Sequence, residues 1–323
     1  MEKITTYFIH MNVTGRITQL PDSQKLFGAL TYLYAKATSP KKATEMVTEV
    51  RKGNMYYTLS DLLPSGYLPL PQCYLLEQLN TENQNDVKKK YKAIKERVFI
   101  QIKQLKKVIA GSGNIASIYP YVRLKQTQQI HAAIDSLHYQ LPGLDPNLYS
   151  VPEVIVLAVE KGGQEKLVTN FGFYLSVSDG IRSIELLQAL NDALKMEKLF
   201  FLGNRASQGM NTYQITGIEE MRQSKDADYY LNLGMLLPEG IDFQESYLSL
   251  FTSQRRPYYN PEGWDGSQEN RFISYIKAGS IIKLTNGRRS AGRCIKVAEE
   301  NTNIIFGKAF LYPVKLLGGE KNA

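Results

Sequence analysis

The sequence is short of the residues from which disulfide frameworks, metal sites and membrane spans are built. Its 323 residues include two cysteines, Cys73 and Cys294, which are too few for a disulfide framework or a four-cysteine zinc site. Unbroken apolar runs such as Val154–Val159 fall far short of the ~18 residues that a membrane-spanning helix needs. The first residues show no secretory hydrophobic region. We therefore expect no disulfide scaffold, no metal, no cofactor and no membrane association.

Positive charge is in moderate excess. The chain has 39 Lys+Arg against 31 Asp+Glu, a formal net charge of +8, and its 43% hydrophobic content is ordinary for a globular protein. This excess suits a polyanionic partner such as nucleic acid, although basic proteins without such a partner are equally common. The 21 tyrosines can stack on bases, but an AT-rich genome produces the same enrichment. Composition leaves nucleic-acid binding open, and the length predicts two domains.

Strands and helices alternate through residues 1–218. Ile4–Met11 carries apolar or β-branched residues on both faces, which predicts a buried central strand. Pro21-Asp22-Ser23 provides capping chemistry for a helix that runs to about Ala37. A hairpin, a second helix and a final strand are predicted at Val154–Val159, Lys166–Thr169, Phe171–Val177, Ile181–Lys195 and Thr212–Ile215. The order β-α, then β-β-α-β, predicts a ferredoxin-like (RRM-like) domain.

Residues 64–148 interrupt this order and are predicted to form a largely helical insertion. Apolar residues at spacings of three and four predict one long helix over Val87–Ile109. The other side of this helix is rich in lysine, with Lys88, Lys89, Lys92, Lys95, Lys103, Lys106 and Lys107. Such a face either meets phosphates or is simply solvated, and solvation is the commoner explanation.

Residues 219–323 contain short predicted strands and turn signals. One short helical segment is expected near Asp242–Leu250, and no long helix is predicted. We interpret this region as a second, degenerate ferredoxin-like domain. The expected fold class is therefore α+β, with two ferredoxin-like units and an insertion in the first.

A loop with two glycines, residues 203–211, lies between the second predicted helix and the strand that follows. Gly203 and Gly209 allow the backbone to approach a ligand closely. Exposed backbone amides can surround phosphate oxygens, and Arg205 can form a forked hydrogen bond to them. Asn204 and Ser207 add neutral donors. Most loops of this composition bind nothing, but this one is predicted to overhang the sheet.

Five short motifs follow one another along the chain, at Gly15–Leu30, Leu59–Pro71, Gly203–Ser207, Tyr275–Ser280 and Gly307–Tyr312. Their order and spacing resemble the RAMP superfamily of CRISPR systems, and within it the Cas-five-like family of subunit four in type III-A Csm effector complexes. Three positions depart from that family's pattern. Asn204 replaces a lysine of the glycine loop, Asn211 replaces its last glycine, and Gln72 follows the proline motif.

The resemblance implies a non-catalytic subunit of a cytoplasmic ribonucleoprotein that acts in antiviral defence. Such a subunit holds the 5′ repeat-derived tag of the guide RNA (crRNA) and bridges the large polymerase-like subunit to the backbone RAMP subunit. A fixed single-stranded tag needs amides, basic side chains and small residues along its path. The candidate RNA-binding residues are Gly203, Asn204, Arg205, Ser207, Gly209, Lys25, Lys277, Ser280, Arg255 and Arg256.

Two alternatives remain open at the level of sequence. The first is a guide-processing endoribonuclease of the same superfamily, in which His10 at the end of the first strand acts as acid or base. A histidine packed at a strand end is the commoner reading of such a position. The second alternative is a protein scaffold that touches no RNA and uses the lysine-rich helix to dock an acidic partner.

Overall fold

The computed structural model describes residues 3–79, 84–111, 113–133, 147–222, 227–254, 272–285, 290–296 and 304–316. This part of the chain combines helices with antiparallel sheets, which confirms the α+β class. Its helices are α1 Ser23–Ala37, α2 Pro40–Lys52, α3 Gln72–Leu79, α4 Gln84–Glu96, α5 Ile102–Ile109 and α6 Ile181–Lys195. Its strands are β1 Ile4–Val13, β2 Tyr57–Leu59, β3 Leu63–Pro64, β4 Tyr67–Pro69, β5 Phe99–Gln101, β6 Tyr121–Ala133, β7 Asn147–Val159, β8 Glu165–Leu167, β9 Asn170–Ser178, β10 Leu199–Phe201, β11 Thr212–Met221, β12 Tyr229–Asn232, β13 Ile241–Tyr247, β14 Leu250–Gln254, β15 Phe272–Ile276, β16 Ile281–Leu284, β17 Ile295–Lys296, β18 Ile304–Ile305 and β19 Leu311–Val314.

The first sheet has the strand order β10-β11-β1-β9-β2, and β3 also pairs with β9. Strand β1 lies between β9 and β11 and is antiparallel to both, as its two apolar faces predict. On one face of the sheet, fully buried Ile9 belongs to the core that α1 and α6 cover. Helix α1 begins where expected, because the Asp22 carboxylate accepts a hydrogen bond of 3.0 Å from the Lys25 backbone N–H.

Residues 64–148 combine helices α3, α4 and α5 with strands β4, β5 and β6, so the insertion contains more sheet than the sequence predicted. A five-stranded sheet of order β4-β5-β6-β7-β8 accompanies α3, α4 and α5. Its main feature is a hairpin of two 13-residue strands, β6 and β7, paired from Tyr121↔Val159 to Ala133↔Asn147. In β6, Val122 and Leu124 alternate with Arg123 and Lys125, the period of two that a strand requires.

The long helix predicted over Val87–Ile109 is divided in two. Helix α4 ends at Glu96, strand β5 follows, and α5 begins at Ile102. Strand β5 pairs with both β4 and β6, and Ile100 becomes fully buried between them. Sheet pairing and burial outweigh helix propensity at β5. The apolar residues keep helical spacing across the break, so the sequence pattern did not reveal the strand.

Arg97 fixes the break between α4 and β5. Its side chain is 3% exposed, and its guanidinium donates hydrogen bonds to the carbonyl oxygens of Ala93, Ala116 and Ile118 at 3.2, 3.2 and 3.4 Å. The guanidinium carbon also lies 4.1 Å from the centre of the Tyr121 ring. A buried cation that is satisfied by carbonyls and an aromatic face holds the helix end against the sheet.

The last part of the chain forms a four-stranded antiparallel sheet of order β13-β16-β12-β19. Leu59 of the first sheet forms a parallel bridge with Ala309, and the Phe310 N–H donates to the Leu59 carbonyl at 2.8 Å. Residues 308–310 therefore link β2 at the edge of the first sheet to β19 of the four-stranded sheet. Within the described part of residues 219–323 there is no helix, and the segment expected to be helical near Asp242 is strand β13.

Candidate nucleic-acid interface

The glycine loop connects two strands at the edge of the first sheet. Strand β10 is the edge strand, and it pairs with β11 from Leu199↔Gln214 to Phe201↔Thr212. The Leu202 N–H donates to the Asn211 carbonyl at 2.9 Å and closes the hairpin. The loop therefore projects from the end of the sheet.

The loop backbone bends twice through the left-handed region. Arg205 (φ 64°) and Gly209 (φ 69°) flank a short 3-10 turn at Ala206–Gln208. Within the described residues, the backbone N–H groups of residues 203–207 have no protein acceptor. Consecutive N–H groups beside a left-handed residue form a concave site for an anion. Because these N–H groups have no acceptor within the described residues, they are candidate donors to a phosphate group.

Asn211 anchors this loop to residues 15–18, which follow β1. Asn211 is fully buried, and its backbone lies in the left-handed region with φ 53°. Its amide donates to Thr18 Oγ1 at 2.8 Å and to the Asn204 carbonyl at 2.9 Å, and its Oδ1 accepts from the Thr18 N–H at 2.9 Å. The Asn211 N–H donates to the Arg16 carbonyl at 2.7 Å. The loop and residues 15–18 therefore form one unit.

Two glycines permit the close approach within this unit. A Cβ atom on Gly15 would stand 2.0 Å from the carbonyl oxygen of Gly209. A Cβ atom on Gly203 would stand 2.7 Å from the side-chain carbon Cγ of Asn211. Real Cβ atoms do not approach other atoms so closely. The need for glycine at positions 15 and 203 is thus explained by close contacts within the chain, with Gly209 and Asn211.

Arg205 extends from the loop toward the inserted hairpin. Its guanidinium carbon lies 5.4 Å from the centre of the Tyr149 ring on β7, and its Nη1 donates to Gln208 Oε1 at 3.3 Å. Arg205 is half-buried, and Ser207 and Asn204 are exposed beside it. Because the guanidinium and the loop amides are neighbours, one phosphate group can contact both.

A narrow crevice lies between the loop unit and the inserted hairpin. It is lined by Arg16 and Met210 on one side and by Gln129, Val151 and Glu153 on the other. The Val154 N–H donates to the Ile17 carbonyl at 2.7 Å, and Arg16 Nε lies 3.9 Å from a Glu153 carboxylate oxygen. The β6–β7 hairpin therefore lies next to the loop unit, which the sequence did not predict. Arg16 belongs to the first of the five motifs, whereas nothing in the sequence indicated Tyr149.

Lys25 lies on the chain segment that leads out of the loop unit. It occupies the first turn of α1, and its Nζ donates to Gln19 Oε1 at 3.2 Å. Gln19 directly follows Thr18, which is hydrogen-bonded to Asn211. Lys25 is therefore connected to the loop through a short path of residues.

Lys277 and Ser280 belong to a different turn, between β15 and β16. Lys277 is exposed, and its carbonyl accepts a hydrogen bond of 3.1 Å from the Asn232 side chain. Ser280 is fully buried, and its Oγ accepts from the Ser249 N–H at 3.0 Å. The prediction that Ser280 contacts RNA is corrected accordingly, because this side chain is used to shape the turn. Arg255 and Arg256 lie outside the described residues.

His10 lies on the face of the first sheet opposite Ile9. Its Nε2 is 3.4 Å from Glu219 Oε2, and its ring packs edge-on against Phe8 at 4.8 Å. Phe8 also contacts Tyr174. Burial raises the pKa of the Tyr174 hydroxyl to about 12, so this hydroxyl stays neutral at physiological pH.

Among the described residues, no group of three His, Cys, Asp or Glu could hold a metal ion. In the same part of the chain, no helix is long and apolar enough to cross a membrane.

No protein-family model and no curated protein matches the chain by sequence. Solved structures do match, and they show that the chain shares its fold with subunits of CRISPR interference complexes. In these structures, the chain that matches is the Csm4 subunit. The Csm1–Csm4 cassette in complex with AMPPNP matches with a TM-score of 0.58 and 15% identity, over 98% of this chain and 100% of that chain.

Two further structures give the same result. The Csm1–Csm4 cassette in complex with cA4 has a TM-score of 0.58 and 13% identity, over 98% of this chain and 100% of that chain. The Csm3–Csm4 subcomplex of the type III-A CRISPR-Cas interference complex has a TM-score of 0.52 and 15% identity, over 96% and 99% of the two chains. The resemblance read from five motifs is confirmed as a shared fold over nearly the whole chain.

Proposed function

We propose that the chain is a non-catalytic subunit of a type III-A CRISPR ribonucleoprotein in the cytoplasm, and that it binds the 5′ repeat-derived tag of the guide RNA. The Csm4 fold over 98% of the chain supports membership of such a complex. The observation that carries the RNA site is the loop at residues 203–207, whose five backbone N–H groups have no acceptor within the described residues.

The chemistry of the loop fits a ribose-phosphate strand. Backbone amides and Arg205 supply donors to phosphate oxygens without reading a base. Arg16 in the same loop unit adds a second guanidinium, and Tyr149 offers an aromatic ring on which a base can stack. Lys25 and Lys277 remain candidates for contacts further along the strand. A single-stranded tag held in this way needs no metal ion.

We also propose that the chain bridges the large polymerase-like subunit to the backbone subunit. The matched structures are described as a Csm1–Csm4 cassette and a Csm3–Csm4 subcomplex. Exposed apolar side chains on this chain support protein partners, and they lie on α6 and at the sheet edge: Ile181, Ile184, Met196, Leu199 and Phe201.

Two ferredoxin-like units are the proposed ancestry of the fold. The strands β11-β1-β9-β2, with α1 and α6 in the crossovers, have the order expected of one β-α-β-β-α-β unit. The sheet β13-β16-β12-β19 is the counterpart in the proposed second unit, over residues 219–323.

The absence of catalysis is part of the proposal. The endoribonuclease alternative depends on His10. Within the described residues, the one polar partner of its side chain is the Glu219 carboxylate, at 3.4 Å. General acid–base cleavage of RNA needs more than one positioned group around the phosphate. We expect purified protein to leave repeat RNA intact, with the His10→Ala variant behaving in the same way.

The proposed function is tested by sequencing the RNA that co-purifies with the tagged, natively expressed protein. We expect short RNAs that share one constant 5′ segment and differ beyond it, with Csm1-like and Csm3-like proteins in the same fraction. Cellular RNA without a shared 5′ segment, or no RNA in a complete complex, would contradict the assignment. Cleavage of added repeat RNA that is lost in His10→Ala would favour the endoribonuclease instead.

A further inference from the structure

The positive charge of the chain is concentrated in one short stretch. Residues 84–111 contain nine Lys or Arg and two Asp or Glu, so they carry seven of the eight net positive charges of the chain. The remainder is almost neutral. A field of one sign over two short helices attracts polyanions far more strongly than the same charge spread over a surface.

One face of α4 presents this charge as a stripe. Lys88, Tyr91, Lys92 and Lys95 lie at positions i, i+3, i+4 and i+7 and are all exposed, whereas Ala93 and Ile94 are buried on the other side. Tyr91 is 50% exposed, and Lys95 Nζ lies 5.7 Å from the centre of its ring. In the part of the chain that the structure describes, no carboxylate forms a salt bridge with these three lysines.

We propose that this stripe binds the phosphate backbone of single-stranded RNA without regard to sequence, with Tyr91 stacking on a base. Lysine is depleted from the cores of protein–protein interfaces, whereas a row of cations interleaved with an aromatic ring is typical of surfaces that bind single strands. Exposed Lys103 and Lys106 on α5 add to the same positive field. The charge and the aromatic ring together favour RNA over an acidic protein.

The stripe is separate from the glycine loop. Helix α4 ends at Glu96, just before β5, and β5 pairs with β6 next to Val159 of β7, whereas the loop unit meets β7 near Glu153. Six strand residues separate these points, about 20 Å at ~3.3 Å per residue. The phosphates contacted by the stripe are therefore not the phosphate proposed to contact Arg205. The inference does not depend on the tag site.

Binding of a 5′-fluorescein 20-nucleotide oligouridylate to the full chain, followed by anisotropy from 50 to 300 mM KCl, tests the proposal. The triple variant Lys88→Gln, Lys92→Gln, Lys95→Gln should bind about tenfold or more weakly at 100 mM KCl. Its slope of log affinity against log salt should be shallower by about 2, since each phosphate contact on a single strand contributes about 0.7. Tyr91→Ala should weaken binding by about fivefold.

The matched control removes three exposed lysines elsewhere, as Lys41→Gln, Lys161→Gln, Lys195→Gln. It loses the same charge and should stay within about twofold of the wild type. The triple variant at Lys88, Lys92 and Lys95 should lower the affinity by the same factor in an Arg205→Glu background, which separates the stripe from the tag site. Equal affinity of the two triple variants, or no binding by the wild type at 50 mM KCl, would overturn the proposal and leave the lysines to solvent or to an acidic protein.

Discussion

Replacing Arg205 by glutamate should weaken retention of the guide RNA in the reconstituted complex by about 10- to 150-fold. The substitution removes the proposed charge-assisted hydrogen bond to phosphate and places a carboxylate, which repels phosphate, beside the amides of residues 203–207. A hydrogen bond to a charged group contributes about 1.5–3 kcal/mol, and each 1.4 kcal/mol is a factor of ten in affinity. The salt concentration at which the complex loses its guide should fall accordingly.

The control for Arg205→Glu is Lys161→Glu, which makes the same charge change at an exposed turn after β7. Filter binding of a labelled guide at several KCl concentrations measures both variants. Arg205→Gln separates loss of the cation from added repulsion and should fall between wild type and Arg205→Glu. If Arg205→Glu and Lys161→Glu retained the guide equally well at every salt concentration, Arg205 would have no part in holding it.

Gly15→Ala should both destabilise the protein and release the guide RNA. The new Cβ would stand 2.0 Å from the Gly209 carbonyl oxygen, which is a backbone atom that cannot rotate away. Either residues 15–18 or the loop must move, and the hydrogen bonds between Asn211 and Thr18 then break. We expect a loss of about 2–4 kcal/mol in the free energy of unfolding, together with guide retention as poor as in Arg205→Glu.

Gly113→Ala serves as the control, because a Cβ at that position would make ordinary contacts of 3.6 Å with Lys107 and Val108. Chemical denaturation measures stability, and filter binding measures retention of the guide. A Gly15→Ala protein with unchanged stability would show that the contact with Gly209 is not present in solution. An unstable Gly15→Ala protein that still held its guide at all salt concentrations would show that the loop unit is not the RNA site.

The glycine loop could be located from sequence because its features are local. Two glycines, an arginine and a serine between a helix and a strand place backbone donors next to a guanidinium, whatever the rest of the fold does. Asn211 shows how far such reasoning extends. Its φ of 53° explains why the family pattern has glycine there, since asparagine tolerates the left-handed region better than most residues. The three hydrogen bonds of its side chain depend on the position of Thr18, which no local pattern gives.

The insertion shows where sequence patterns were insufficient. The spacing Ile94, Val98, Ile102 continues a helix across the point where the chain becomes strand β5, because burial between β4 and β6 is decided by partners distant in sequence. The proximity of Tyr149 to Arg205 has the same origin. It arises from the pairing of β6 with β7 and from the contact of Val154 with Ile17, and neither contact leaves a signal near either residue.

Photo-crosslinking of a guide RNA that carries 4-thiouridine at single positions of the 5′ tag tests the central claim most directly. The complex is reconstituted with all subunits, irradiated and digested, and the cross-linked peptides are identified by mass spectrometry. We expect at least one tag position to cross-link to residues 203–209 of this chain, with neighbouring positions reaching Arg16 or Tyr149. Cross-links from every tag position that fall only on other subunits, or on parts of this chain remote from the loop, would contradict it.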